Sequence, residues 1–382
     1  MSLTKTEQPV LILGGHGRVG YEVLRYLIDH TSAPIQLASR SNPASDYLDL
    51  AEHAHRLQGI ALDVHDADAL QVAVGNARLV IACIGPSGVI GDRVAKACAR
   101  AAVPLVDAGG YDPLLKALEQ EERDTPAKVP LIISVGLMPG LTGLFPRYVM
   151  EQTAHGRGVK RLESYCIGRD AWTYNSAWDI VHSLGDFGQN RGFPIIRDGQ
   201  HQTVGFFKAT RKVRFEGNAK PVTTMLMPSE ELARLARQAN VAEARAYGSN
   251  VGPRAAWVCG LAKVLGAYRT PRGIERAARW LVRASEADMK RLPPIYQLNV
   301  NVEYVDGEQV SATLQIEDTY RATGAVVAIA AREVLAGIEM RKGVQMLHEA
   351  VDSQRFMALL EAENLVSVAW SGTLNNAQEY RV

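Results

Sequence analysis

The sequence has little of what marks several large classes of protein. Its 382 residues include four cysteines, Cys83, Cys98, Cys166 and Cys259, set far apart with no metal-ligand spacing. The N-terminus, MSLTKTEQPVLIL, has too short an apolar run for a secretory signal. The cysteines therefore read as free thiols in a reducing compartment, and a cytoplasmic location is the expectation. No apolar stretch reaches the roughly 20 residues that a membrane helix needs. The longest, Leu131 to Phe145, is broken by Ser134, Gly136, Pro139, Gly140 and Gly143. The histidines fall in no HExxH or Cys/His pattern, so no metal is expected. A G-x-S-x-G elbow and a P-loop are also missing, which sets serine hydrolysis and P-loop phosphoryl transfer aside. Net charge is nearly absent, with 42 basic against 41 acidic side chains. That balance argues against a broad electrostatic grip, so neither nucleic acid nor a membrane is expected as partner.

The balance is uneven along the chain. Residues 1–150 hold 13 basic and 16 acidic side chains, residues 151–325 hold 24 and 18, and residues 326–382 hold 5 and 7. The basic middle segment reads either as solvated surface arginine or as a pocket for an anionic small molecule, where arginine forks clamp carboxylates.

Short apolar runs alternate with helical patterns through the first 140 residues, the signature of βαβ units on a parallel sheet. Strands are predicted at Pro9–Leu13, Ile35–Ala38, Gly59–Asp63, Leu79–Ile84, Pro104–Val106 and Val129–Ser134. Val19, Val23, Leu24, Leu27 and Ile28 give a helix after the first. Beyond Gly136 the pattern changes. Residues 159–170, 203–216 and 222–227 read as strands without intervening helices, and Asn299–Val305 with Gln309–Ile316 as a hairpin about Asp306-Gly307. Gly273–Arg291 and Thr323–Ile338 read as helices. The expected fold is α/β: a Rossmann doubly wound parallel sheet over residues 1–140, an α+β substrate and dimerisation domain with a mixed or antiparallel sheet over 141–322, and a helical segment over 323–382 that packs back on the first domain.

Gly15-His16-Gly17-Arg18-Val19-Gly20 follows a strand and opens a helix, the context that gives a G-x-G-x-x-G run physical meaning. Gly15 permits the turn, Gly17 lets backbone approach a pyrophosphate, and Gly20 lets the helix pack closely on the strand. The free N–H groups at Arg18 and Val19 offer themselves to phosphate. The second strand ends in Ser39-Arg40. An acid normally stands there to bind the ribose hydroxyls of NAD; a serine and an arginine suit a 2′-phosphate, so NADP(H) is preferred over NAD(H). Asp63 and Val64 are placed beside the adenine. Cys83, Ile84 and Gly85 are placed at the nicotinamide ribose, and Met138 on the cofactor side of the site.

The runs GGHGRVG, ACIGPSGVIGDRVAKACARAAVPLVDAGG and SVGLMPGLTGLF resemble, in that order, segments of the saccharopine dehydrogenase/reductase family. YNSAWDI, IIRDGQ and the tail YRATGAVVAIAAREVLAG with RKGVQ are similar to later segments of it. The resemblance is close to about residue 145 and looser after. It implies a dinucleotide-binding oxidoreductase that transfers hydride to an imine carbon or runs the reverse amine oxidation, and it suggests a homodimer. The family also contains enoyl-type reductases, so a C=C bond on a thioester or carrier-bound substrate is the alternative. A non-catalytic NADP(H)-binding sensor is a third reading. Many members carry a tyrosine just after the fifth strand; here Asp107-Ala108-Gly109-Gly110-Tyr111 displaces it by one residue.

Three residues are candidates for handling a proton. Asp107 ends the fifth strand on the side where ligands bind, or else caps the next segment. Tyr111 follows it, as a substrate contact or a packed boundary residue. His182 has a useful titration range, or is structural. Trp172, Tyr174, Ser176 and Trp178 form an aromatic–polar stretch suited to a substrate pocket wall, or to core packing or a subunit interface. Arg191, with Arg197 and Arg211, is a candidate carboxylate clamp.

Overall fold

The structure is a computed structural model that describes residues 7–40, 48–109, 112–186, 193–216, 220–250 and 252–372. Two units emerge, one formed by Met1–Leu141 with Tyr320–Leu360, the other by Thr142–Thr319 with Glu361–Val382.

The first unit begins with β1 (Val10–Leu13), whose four apolar residues are all buried. Covered on both faces, the strand needs no polar alternation. Helix α1 (Arg18–His30) turns Val23, Leu24, Leu27 and Ile28 to the core at i, i+4 spacing. There follow β2 (Ile35–Ser39), β3 (Leu57–Ala61), α2 (Ala67–Gly75), β4 (Leu79–Ala82), α3 (Ser87–Ile90), α4 (Arg93–Ala101), β5 (Leu105–Asp107), α5 (Asp112–Asp124) and β6 (Pro130–Ile133). Asp66 caps α2, its carboxylate accepting from the Ala69 N–H at 3.0 Å.

The second unit opens on α6 (Thr142–Thr153) and the long strand β7 (Val159–Arg169). A helix not expected there, α7 (Tyr174–Ser183), comes next, and then β8 (Phe193–Arg197), β9 (Gln200–Val204), β10 (Thr210–Val213), β11 (Val222–Leu226), α8 (Glu230–Gln238), β12 (Glu243–Asn250), α9 (Pro253–Val264), α10 (Pro271–Met289), β13 (Ile295–Tyr304) and β14 (Gln309–Ile316). Gly307, at φ +90°, lets the β13–β14 hairpin close about Asp306-Gly307. In this mixed sheet β12 runs parallel to β7, while β13 runs antiparallel to both β7 and β14.

Helix α11 (Thr319–Leu335) returns the chain to the first unit, where β15 (Gly343–Met346), α12 (Leu347–Ala350) and most of α13 (Ser353–Ala362) follow; β16 (Val366–Gly372) pairs with β14 in the second. The tail is thus not wholly helical. It supplies one strand to each sheet, and β15 lies parallel beside β6. The first sheet has the order β15-β6-β5-β4-β1-β2-β3, all parallel. The order reverses between β1 and β4, and a doubly wound sheet binds ligands at the carboxyl ends of its strands at such a point.

α11 packs on α1 through a close backbone approach. A Cβ at Gly324 would stand 2.4 Å from Glu22 Cβ and 3.1 Å from the Glu22 carbonyl carbon. Gly324→Val is therefore expected to lower stability by about 1–3 kcal/mol through overpacking. A thermal melt at or above the wild-type midpoint would show that the two helices part at no cost.

Candidate functional site

The turn between β1 and α1 is built on glycine for three separate reasons. Gly14 holds φ +83°, and a Cβ there would meet Cys83 O at 2.7 Å and Ile84 Cγ2 at 2.8 Å. The left-handed residue is therefore Gly14, one place before Gly15. Gly17 is the N-cap of α1, in extended conformation, with no side-chain cap bond. Gly20 sits against the turn itself, since its Cβ would lie 2.2 Å from Gly14 O. The first turn of α1, from Arg18, contains no acidic side chain. The helix therefore presents uncapped N–H groups and the positive end of its dipole, the chemistry that a phosphate needs. Arg18 is exposed, and its guanidinium lies 3.5 Å from the ring centroid of Tyr320, at the start of α11.

Ser39 ends β2 beside this turn, with the Gly14 N–H bonding to Ala38 O. Its hydroxyl oxygen is buried and has no hydrogen-bond partner among the described residues. Arg40 follows, exposed. An orphaned hydroxyl and an exposed guanidinium at a strand end fit a ribose phosphate, since a buried donor without a partner costs free energy until something fills the place. Asp63 is exposed and accepts from the His65 N–H at 3.0 Å, an Asx turn that shapes the strand end; Val64 packs toward the core.

At the end of β4, Cys83 and Ile84 pack against Gly14, and the Gly85–Pro86 peptide is cis. Burial, reinforced by the Asp107 carboxylate, pushes the Cys83 thiol up, so it is protonated at neutral pH rather than a nucleophilic thiolate. Asp107 ends β5 and is 8% exposed. Burial raises its carboxyl from 3.8 to about 6, opposed by the Gly109 N–H that it accepts at 2.9 Å. A carboxyl poised there can exchange a proton near neutral pH. Gly109 is required beside it, since a Cβ would meet Ser87 Oγ at 2.9 Å and Asp107 Oδ1 at 3.2 Å. Met138, 49% exposed, stands in the first unit after β6. Ser134, at φ +61° past the end of β6, has a buried hydroxyl with no partner among the described residues. Tyr111 lies outside the described residues.

The aromatic stretch of the second unit has a different setting. Trp172 and Trp178 pack against the cluster that joins α7 to α9 and α10. Ser176 is engaged in capping, its N–H and hydroxyl both bonded to Thr173 Oγ1. His182 stacks on Trp178, ring centroids 5.0 Å apart and 14° from parallel. Among the four, Tyr174 is the exposed one. Arg197 is held by Glu243, Nε to Oε2 at 3.0 Å, so it is not a free clamp. Arg211 bonds to its neighbour Thr210 O at 3.4 Å, and Arg191 lies outside the described residues. Among the described residues, no group of His, Cys, Asp and Glu could hold a metal ion.

Residues 10–130 match the family model described as the saccharopine dehydrogenase NADP binding domain. That matched segment lies within the first unit. The chain is also 29% identical over 168 residues to the mitochondrial alpha-aminoadipic semialdehyde synthase of Bos taurus, and 30% identical over the same length to that of Mus musculus. These alignments take in 44% of the chain, which spans 17% of the length of either relative. Over 95% of its length the chain superposes on the whole of an apo saccharopine dehydrogenase (L-Glu forming) from Saccharomyces cerevisiae, with a TM-score of 0.64 at 17% identity. That likeness shows a saccharopine dehydrogenase-like fold. The matched segment contains Gly15, Gly17, Gly20, Ser39, Arg40, Asp63, Cys83 and Asp107, while Met138 lies beyond it. The pairing of Arg18 with Tyr320 was missed by sequence reading, and no local signal announces a contact between residues so distant in the chain.

Proposed function

We propose that the chain is an NADP(H)-dependent oxidoreductase that acts on a CH–NH bond, reducing an imine carbon or oxidising the amine. The observation that carries this reading is the uncapped helix behind the glycine turn, within a segment that matches an NADP-binding domain. When bound, NADPH supplies a hydride from its nicotinamide ring. The residues do the rest. Backbone N–H groups at Arg18, Val19 and Gly20 hold the pyrophosphate. Ser39 and Arg40 hold the 2′-phosphate. The Cys83–Gly85 segment, fixed against Gly14, sets the position of the ribose next to the ring. Asp107 exchanges the proton that accompanies the change at nitrogen. The basic middle segment favours an anionic substrate, with Tyr174 as a contact.

Arg40→Ala is expected to weaken NADPH binding about 10- to 100-fold and leave NADH binding nearly unchanged, since one charge-assisted phosphate contact is worth about 1.5–3 kcal/mol. Equal losses for both would remove Arg40 from the phosphate site. The reaction is tested by following NADPH oxidation with amine and keto-acid pairs, cyclic imines and enoyl thioesters. Turnover of imines alone supports the proposal, turnover of enoyl thioesters replaces it with C=C reduction, and turnover of none favours a sensor.

A further inference from the structure

The basic surplus of the middle segment is concentrated in one place. From Pro253 to Arg291 there are nine basic and three acidic side chains, a net of +6, as large as the surplus of all of residues 151–325. This stretch is α9 and α10. They pack on α7 through Ala255 and Ala262 of α9, Ala277, Ala278 and Leu281 of α10, and Val181 of α7. The opposite face of α9 carries Trp257, Gly260, Leu261 and Val264 at i, i+3, i+4, i+7 spacing. Trp257 is 68% exposed, Val264 84% and the adjoining Leu265 66%. Trp257 and Val258 share an open groove of about 490 Å³ with Ala284 of α10, and Trp280, one turn before Ala284, is also exposed. Single exposed apolar residues are ordinary; a run of them along one helix marks a surface for something else.

Two of the three acids in this stretch are engaged, and the third, Glu286, is exposed. Asp288 accepts from the backbone N–H groups of Arg254 and Ala255, at 3.0–3.2 Å, and Glu275 lies 3.7 Å from Arg279. Arg272, Arg276 and Arg283 are exposed, with no ion pair among the described residues.

We propose that the α9–α10 face docks the protein on an anionic phospholipid bilayer. The aliphatic tips need an apolar phase, which a nucleic acid lacks. A second copy would bring two surfaces of like charge together. A bilayer surface meets both demands: acyl chains for Val264 and Leu265, the headgroup boundary for the two tryptophans, anionic lipid for the arginines. Among the described residues no helix is long and apolar enough to cross a membrane, so the helices lie on the surface. The expectation of no membrane partner came from total charge, and averaging hides this patch.

The full chain is sedimented with vesicles of phosphatidylcholine alone and with about 30% phosphatidylserine, at low salt and at about 0.5 M. Binding to the anionic vesicles is expected to be at least about tenfold tighter and to fall sharply with salt. Val264→Asp should reduce it about tenfold or more, and the pair Arg276→Glu, Arg283→Glu should remove the lipid preference. Both variants change exposed side chains, and unchanged thermal melts confirm that they fold. Equal, salt-insensitive partition to both vesicles overturns the proposal, as do variants that bind like wild type. A dimer that Val264→Asp dissociates also overturns it, by assigning the face to a second copy.

Discussion

Gly17→Val leaves the chain folded and without measurable affinity for NADPH. The backbone at Gly17 is extended, at φ −73° and ψ 158°, a conformation that any residue adopts. Its Cβ would come no nearer than 3.3 Å to Gly14 O, so the fold absorbs it with a small adjustment. The isopropyl group would instead stand over the first N–H groups of α1, where the pyrophosphate must approach. A loss of at least about 100-fold, some 2.7 kcal/mol, is expected. Gly20→Ala fails differently. Its Cβ would lie 2.2 Å from Gly14 O, so α1 must move off the turn, and both the melting midpoint and the affinity should fall. Two glycines of one motif are thus separated by a thermal melt alone. Gly17→Val with unimpaired NADPH affinity would move the phosphate site elsewhere.

Asp107→Asn stabilises the chain at neutral pH and impairs turnover. The unfolded carboxyl titrates at its ordinary 3.8, the folded one at about 6. Between these values the folded chain holds more proton than the unfolded chain, so stability falls as pH rises through this window and stays low above it. The burial that raises the carboxyl costs its charged form about 3 kcal/mol at neutral pH, an order-of-magnitude figure. Asparagine carries no charge there, can still accept from the Gly109 N–H, and abolishes this pH dependence. Urea unfolding at pH 4 and pH 7.5 checks the first half, and a variant no more stable than wild type at pH 7.5 would contradict it. For turnover, loss of a positioned proton donor costs about 10²- to 10⁴-fold. The pH profile of kcat/KM should lose its inflection near 6. Stability up with activity down is the signature of a buried group kept for chemistry. A variant that turns over normally would leave Asp107 as a cap for Gly109.

Where one local pattern decides the outcome, the sequence was legible. β1 and α1 lie where the apolar run and the i, i+4 spacing put them, and the β13–β14 hairpin closes on Asp306-Gly307 as the alternation predicted. The elements that depend on partners were not. β15 is only four residues long, and its place beside β6 is fixed by pairing, which no periodicity announces. β16 had been absorbed into a helical tail although Val366 to Gly372 pairs along β14. α7 was hidden because its aromatic–polar mixture has no clean stripe; Thr173 as N-cap was the available signal. At the site, glycine chemistry identified the turn, but its left-handed residue is Gly14, which stands just before the G-x-G-x-x-G run. The Arg18–Tyr320 stack and the unpaired hydroxyl of Ser134 arise from residues that only the fold brings to the carboxyl ends of the strands.

In the proposed function, the turn after β1 and the end of β2 form one NADP(H) site. Equilibrium titration of the intact chain with NADPH and with NADH, followed by calorimetry, tests it most directly. Saturable one-to-one binding of NADPH is expected, at least about tenfold tighter than that of NADH, a gap of about 1.4 kcal/mol or more. Indistinguishable curves for the two cofactors, or no saturable binding of either, would contradict it.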